Sequence, residues 1–513
     1  MSSWTEGYVA EIPYTPGYYR ELSPALLALN LAIRNVRAPD LTGALNYCEL
    51  GFGMGLSLLT HAAAFPNIHF YGTDFNPAHA AHAQELATTG GLTNVSVFDD
   101  SFEQLLARDL PAMDFIVLHG IYSWVSPANR KIIVDFIDRR LKPGGVVYVS
   151  YNALPGWSAG APLRALMRLH SQRQSAPGTP MLDKVAQAIG FLGEMNGKGM
   201  RYFKSVPGMD GRIERLGAAN TSYVAHEYLN QEWHPQYFHE VVAEMSAARL
   251  EYVCAGQLSD NIDAAILPSD ALKHLNSVHD QVMRETLRDY YLNTQFRRDL
   301  YTRGATRLSG EAQTEILMTQ RWLLITAVAG IQYKVATSGG DVTLEESAHR
   351  PIIEALAQGP ATTQELLGRP ELQALGKNRL LQGLILFASV GYVHPMLPNS
   401  VATSAMGGAQ RYNAAIAARG DAGVNYVACP LSGQAVARTQ LSLAQSDLYR
   451  RGLREPAAMA EALGQIMTRR GQQLVKDGKP LEDGAAAETH LLEMVNLFLD
   501  QELPQLQRLG LVA

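Results

Sequence analysis

Between residues 45 and 77 the chain reads LNYCELGFGMGLSLLTHAAAFPNIHFYGTDFNP, and no other stretch limits its fold so strongly. A short apolar run ends in Glu49, and glycines follow at positions 51, 53 and 55. An amphipathic run, a second apolar run and Asp74 come next. In physical terms this is a strand, a glycine turn, a helix and a second strand closed by a carboxylate. A right-handed strand–helix–strand crossover sets the turn and the carboxylate side by side at the carboxyl edge of a parallel sheet. A crevice of that kind holds a nucleoside-like ligand.

The alternation continues downstream. Strands are expected at 45–50, 68–73, 95–98, 113–118 and 146–150, with helices at 56–65, 77–88, 102–107 and 128–141. The strands are continuous apolar runs, the pattern of a sheet buried on both faces, so the fold class is α/β with a Rossmann-like parallel sheet. Residues 156–225 break the pattern as a helical insertion, with helices near 162–172 and 182–195. A helix at 235–249, a strand at 250–255 and a final strand at 264–267 are expected to complete the sheet. That places the core at 1–268 and a helical connecting region at 269–340, with 279–304 as one or two long helices.

Residues 341–400 follow a helix–turn–helix plus strand order and are expected to be winged-helix-like. Their basic residues, Arg350, Arg369, Lys377 and Arg379, are outnumbered by acids, which favours protein contact over DNA reading. Residues 401–513 are expected to be a helical C-terminal domain after a Gly/Ser linker at 404–408.

A length of 513 residues exceeds a single core. The net charge of −6 argues against a broad nucleic-acid surface. The most apolar runs, near 322–331 and 384–393, are about half a membrane span, and the first residues, MSSWTEGYVAEIPY, lack a signal pattern. Three scattered cysteines suit neither a disulfide framework nor a zinc site. No metal is expected, since His79, His82, His226 and His234 lack a convincing further ligand. A cytoplasmic protein is the default reading.

The chemistry is carried by the crevice residues. Gly51, Gly53 and Gly55 form G-x-G-x-G rather than the dinucleotide G-x-G-x-x-G, and Glu49 before the turn would repel a pyrophosphate but suit a cation. A sulfonium ligand bearing an ammonium group fits, which points to S-adenosyl-L-methionine as cofactor. Asp74 is placed to accept both ribose hydroxyls, and Phe75 to lie against the adenine. Asp100, Ser101 and Phe102 stand in the third crossover, on the adenine side. His119 ends the fourth strand, beneath the reacting centre. Of Tyr8, Tyr14, Tyr18 and Tyr19, all four could dock the amino-terminal arm, or one or two could wall the cofactor pocket.

The motifs ELGFGMG (49–55), GTDFNP (72–77), HGIYSWV (119–125) and YNALPGW (151–157), with VAHEYLNQEWHP (224–235) and TQFRRDLYTRG (294–304), carry a resemblance. The chain resembles the class I S-adenosylmethionine-dependent methyltransferases with a methyltransferase regulatory domain, including the rickettsial-type protein-lysine methyltransferases. It departs from the common pattern at Phe52, where a small residue or cysteine is usual, and at Ser101, which stands where an adenine-binding Asp is usual. The resemblance implies methyl transfer to a protein lysine and homodimerisation. The competing readings are a small-molecule N- or O-methyltransferase and a non-catalytic cofactor-binding regulator.

A lysine acceptor must attack as the neutral amine. Deprotonating it near neutral pH costs about 4 kcal/mol from a pKa of about 10.4. Aromatic walls and low dielectric reduce that cost. Tyr122, Trp124, Tyr151 and Tyr223 are the expected acceptor-side residues, joined by Asn152 and Trp157, with His226 and Glu227 closing the site from the returning insertion.

Overall fold

Seven strands build the main sheet: β1 Leu45–Leu50, β2 Ile68–Thr73, β3 Val95–Phe98, β4 Met113–Leu118, β5 Leu141–Asn152, β6 Glu251–Ala255 and β7 Phe296–Thr302. They belong to a computed structural model that describes residues 11–12, 16–421, 423–472, 474–476, 479–481 and 484–512. The readings made for Tyr8 and Tyr14 lie outside the described residues. The spatial order is β3-β2-β1-β4-β5-β7-β6. The first five strands are parallel, and β7 runs antiparallel to both of its neighbours.

Alternate side chains leave the sheet on opposite faces. Tyr47, Phe115, Val117 and Val146 share a core with helices Pro24–Ile33 and Leu56–Ala64. Cys48, Ile116, Leu118 and Val147 share another with helices Pro127–Arg140 and Phe238–Ser246. Both faces are therefore covered, and all six residues of β4 are buried. Strand order reverses between β1 and β4, so their carboxyl ends open the crevice where an open α/β sheet takes its ligand.

The seventh strand corrects the sequence reading. Residues 264–267, expected as the last strand, begin within the short helix Asp263–Ile266, and β7 comes after helix Gln281–Leu292. The sheet therefore extends beyond the expected boundary at 268. β7 reads FRRDLYT, too charged to look like an inner strand, yet Arg297 and Asp299 are 4% and 1% exposed. They neutralise each other at 2.9 Å. Asp289 on the preceding helix lies 2.7 Å from the same guanidinium, and Tyr151 donates its hydroxyl to Asp299 at 2.7 Å.

The insertion between β5 and helix Phe238–Ser246 is a helical cap. Helices Ala161–Arg173, Met181–Gly197, Met209–Ala218 and Thr221–Leu229 bury Leu163, Met167, Leu192, Ile213 and Val224 with Trp157.

Beyond the sheet, strand Arg321–Leu324 pairs with Ala361–Thr362 on one side and Val393–Pro395 on the other. Helices Glu346–Gln358, Thr363–Leu367 and Gly376–Ser389 pack around it. The central strand of this helix–turn–helix unit thus comes from outside 341–400. Trp322 is fully buried and donates its indole N–H to Thr363 Oγ1 at 2.9 Å.

Residues 404–408, expected as a linker, lie inside the 21-residue helix Asn399–Arg419. The small side chains serve close packing: a Cβ on Gly408 would lie 3.7 Å from the Ala63 carbonyl of helix Leu56–Ala64. Tyr412 on the same helix is fully buried, with its hydroxyl 3.3 Å from Thr60 Oγ1. The C-terminal helices therefore share a core with the main sheet. Tyr412→Ala is expected to cost about 3–5 kcal/mol, the usual price of a large core truncation. A single lowered melting transition should report it, and loss of only a separate late transition would contradict the shared core.

Candidate active site

The glycine turn is held in a backbone conformation that other residues resist. Gly51, Gly53 and Gly55 have φ of 73°, 59° and 78°. The Gly51 N–H donates to the Thr73 carbonyl at 2.7 Å, locking the turn to the end of β2. Asp74 secures it further: Oδ2 accepts the Gly53 N–H at 2.8 Å and Oδ1 the Asn76 N–H at 3.0 Å, with His79 Nδ1 3.1 Å from Oδ1. Asn76 then caps helix Pro77–Thr89 by accepting from the Ala78 N–H.

Two observations show that this crevice suits a cationic nucleoside. Glu49 is 3% exposed, and its Oε2 has no hydrogen-bond partner among the described residues. Burial, aided by the nearby Asp74 charge, pushes its carboxyl up to about 8. A cation beside that carboxylate would reverse the penalty. A Cβ on Gly53, by contrast, would meet nothing within 4 Å, so the backbone there faces open space that a ligand can approach.

Gly53→Ala should therefore leave the fold standing, at about 1–2 kcal/mol of left-handed strain, while calorimetry records at least about a tenfold loss of ligand affinity. Unchanged affinity would sink that placement. Glu49 adds a pH signature. Its folded pKa lies above the unfolded one, so the stability of the ligand-free protein falls as pH rises from about 4.5 to about 8. In thermal melts, Glu49→Gln should remove that component and stabilise the ligand-free protein most near pH 8.

The adenine side is more occupied than expected. Asp100 makes a two-pronged ion pair with Arg108 at 2.6 and 2.9 Å, and its carbonyl accepts the Thr73 hydroxyl. Ser101 caps helix Phe102–Ala107 in a reciprocal box with Gln104. Both side chains thus already have local partners, whereas Phe75 and Phe102 sit half-buried just past the ends of β2 and β3.

His119 ends β4 in a packed setting. Its Nδ1 lies 2.9 Å from the Tyr148 hydroxyl and 3.3 Å from Ser150 Oγ, and the Tyr19 ring packs on it at 4.0 Å. Burial, with Arg298 nearby, outweighs Glu21 and brings the imidazole down to about 4, so it is neutral at physiological pH. Of the two described arm tyrosines, Tyr19 reaches the end of β4 through this contact with His119. Tyr18 docks the arm, with its hydroxyl accepting the Ala435 N–H at 2.9 Å.

The cap faces this edge through aromatic and charged groups. The Arg164 guanidinium lies over Trp233 at 4.6 Å and Trp124 at 5.6 Å, and donates to the carbonyls of Glu227 and Asn230. Trp157 packs edge-on against Trp233 at 5.1 Å. Tyr223, on the same helix as Glu227, is 45% exposed. Burial and the neighbouring Glu227 raise its hydroxyl to about 12, and Tyr19 lies within electrostatic reach.

Residues 48–147 match the family described as "Methyltransferase domain", and residues 220–303 match "Predicted methyltransferase regulatory domain". An uncharacterized protein of Synechocystis is 38% identical over 511 residues, spanning 99% of this chain and 100% of that one. The chain belongs to the class I S-adenosylmethionine-dependent methyltransferases. An uncharacterized protein of Rickettsia prowazekii is 28% identical over 299 residues, 56% of this methyltransferase and 51% of the relative. PKMT2 from Rickettsia typhi, solved in complex with AdoHcy, shares the fold with a TM-score of 0.71 at 19% identity, covering 97% of this chain and 99% of that one.

In the methyltransferase two of the four expected acceptor-side aromatics are elsewhere. Tyr122 is fully buried and donates its hydroxyl to Glu244, which Arg130 also approaches at 3.4 Å. Tyr151 is 1% exposed, its hydroxyl committed to Asp299. Both belong to the core shared with helices Pro127–Arg140 and Phe238–Ser246: the pleat of β5 turns Tyr151 there, and the turn after β4 carries Tyr122 into it. Trp124 instead lies under the Arg164 guanidinium, and Tyr223 is exposed on the cap.

Asn152 holds the end of β5, its N–H donating to Ser123 Oγ at 2.8 Å and its buried Nδ2 without a partner among the described residues. His226 is buried in the cap. Sequence reasoning missed Arg164, which lies beside the apolar Leu163 on an amphipathic helix that also carries Arg168 and Arg173, so no local signal singled it out. It also missed Asn76 and His79 as supports of Asp74. Among the described residues no group of three or more His, Cys, Asp or Glu could hold a metal, and no helix could cross a membrane.

Proposed function

We propose that the protein is a protein-lysine N-methyltransferase. The observation that supports this reading is the aromatic cluster at the cap: Arg164 over Trp124, Tyr19 on His119, and Tyr223 within electrostatic reach of Tyr19 and Glu227, groups that would line an acceptor cleft. Apolar walls disfavour an ammonium and favour the neutral amine that must attack, while aromatic faces still tolerate a cationic, already methylated product.

When bound, S-adenosylmethionine supplies a methyl group on a sulfonium sulfur. Glu49 would offset its ammonium charge, the glycine turn would take its amino-acid portion by close backbone approach, and Asp74 would accept its ribose hydroxyls. Phe75 and Phe102 would flank the adenine, with Asp100 and Ser101 below it. Tyr19, packed on the neutral His119, would exclude water from the reacting edge. Positioning and desolvation, rather than strong acid–base chemistry at the donor, carry a displacement of this type. The C-terminal helices and the helix–turn–helix unit would serve a large acceptor, which a small molecule does not require.

The test is to incubate the purified protein with methyl-labelled donor and a bacterial lysate, then separate macromolecules from small molecules. Label is expected with protein. Label confined to small molecules would overturn the reading.

A further inference from the structure

Glu227 stands out among the titratable groups around the cleft because no hydrogen bond or ion pair holds its carboxylate among the described residues. Tyr223 sits one turn earlier on helix Thr221–Leu229, and Tyr228 follows it. From helix Ala161–Arg173, Arg164 bonds the Glu227 carbonyl at 3.0 Å, and its charge is felt at the carboxylate. Arg168 adds to the positive potential at Arg164. From helix Met209–Ala218, Arg212 pairs with the Tyr228 hydroxyl, and Tyr19 of the amino-terminal arm lies within electrostatic reach of Tyr223. Arg164 is committed to two carbonyls and two indole faces, so it lowers the affinity of the cleft for an ammonium without neutralising Glu227.

We infer that Glu227 is the group that receives the proton of the acceptor ammonium, with Tyr223 orienting the amine. This inference rests on the amine-acceptor reading above. The N–H proton passes to a carboxylate oxygen of Glu227, leaving the nitrogen lone pair free. Once the methyl group has moved to nitrogen with the sulfonium bonding pair left on sulfur, the nitrogen is cationic again. Glu227 then releases its proton to solvent.

Two other groups are less suited to this task. His119 is held down to about 4 by burial, so near pH 7 it would retain an abstracted proton only about once in a thousand. Glu49 lies behind the glycine turn, on the cofactor side. Burial instead brings the Glu227 carboxyl up to about 7, the range in which a group both takes and returns a proton.

The test uses the full-length protein with glutamate carboxyls labelled by ¹³C, and n-butylammonium as the probe for a lysine side chain. A carboxyl resonance titrating near 7 should be absent in Glu227→Gln and should shift to lower pH when n-butylammonium is added. In methyl transfer, Glu227→Gln should lower kcat by at least about a hundredfold and abolish the acidic limb of the pH profile. S-adenosylhomocysteine affinity should be unchanged.

Glu227→Gln retaining both rate and acidic limb would overturn the inference, as would a Glu227 resonance insensitive to n-butylammonium. Tyr223→Phe should raise KM more than it lowers kcat, and an unchanged KM would remove the orienting role. If label is found on oxygen instead, the lysine reading fails, and the n-butylammonium titration still decides whether Glu227 receives a cationic amine.

Discussion

Asp74→Ala is expected to raise the dissociation constant for S-adenosylmethionine by about a hundredfold or more. The carboxylate does two things. It would accept the ribose hydroxyls, and it ties the glycine turn to β2 through the Gly53 and Asn76 N–H groups. Charge-assisted bonds of this kind are worth about 1.5–3 kcal/mol each. Losing two gives at least about 3 kcal/mol, which is about a hundredfold in affinity. The released Gly53 N–H also loosens the turn. Calorimetry measures the affinity directly, and a wild-type value would show that Asp74 does not hold the cofactor. Asp74→Asn separates the two roles, because an amide oxygen can still accept from Gly53.

The second large effect lies away from the cleft. Arg297→Ala should destabilise the fold by about 3–5 kcal/mol, because it leaves buried carboxylates without their cation. Arg297 lies 2.7 Å from Asp289, 2.9 Å from Asp299 and 3.4 Å from Glu285. Burial already raises Asp289 to about 6 and lifts Asp299 above the usual range, with Arg297 opposing both shifts. Without the guanidinium these carboxyls rise further and fold more readily as neutral acids. A folded-state pKa above the unfolded one costs stability as pH rises, so the deficit should be largest near pH 8 and shrink towards pH 5. Thermal melts of wild type and variant across that range check the sign. A deficit independent of pH would mean that packing around the Phe238 ring, 4.1 Å below the guanidinium, dominates instead.

These two sites also mark where the sequence was readable. The crevice was legible because a single crossover builds it. Glu49, the three glycines and Asp74 are close in sequence, and the handedness of the unit fixes their neighbourhood. Strands β1 to β5 were legible as unbroken apolar runs. β7 was not, because its buried charges cancel one another through partners such as Asp289 and Tyr151, which no local pattern reveals.

Tyr122 and Tyr151 were misplaced for a related reason. Position near a strand end gives the edge but not the face, and the hydroxyl of Tyr122 is settled by Glu244 on a distant helix. The small-residue stretch 404–408 looked like a linker because the close approach to helix Leu56–Ala64 that it permits is invisible without the fold.

The most direct test of the account is the atom that receives the methyl group. Protein labelled in lysate should be digested and its modified residues identified by mass spectrometry, after alkaline treatment to remove methyl esters. Alkali-stable label on lysine Nε is expected, lost when Asp74→Ala replaces the wild-type enzyme. Label on carboxyl oxygen, on nucleic acid or on a small molecule would contradict it.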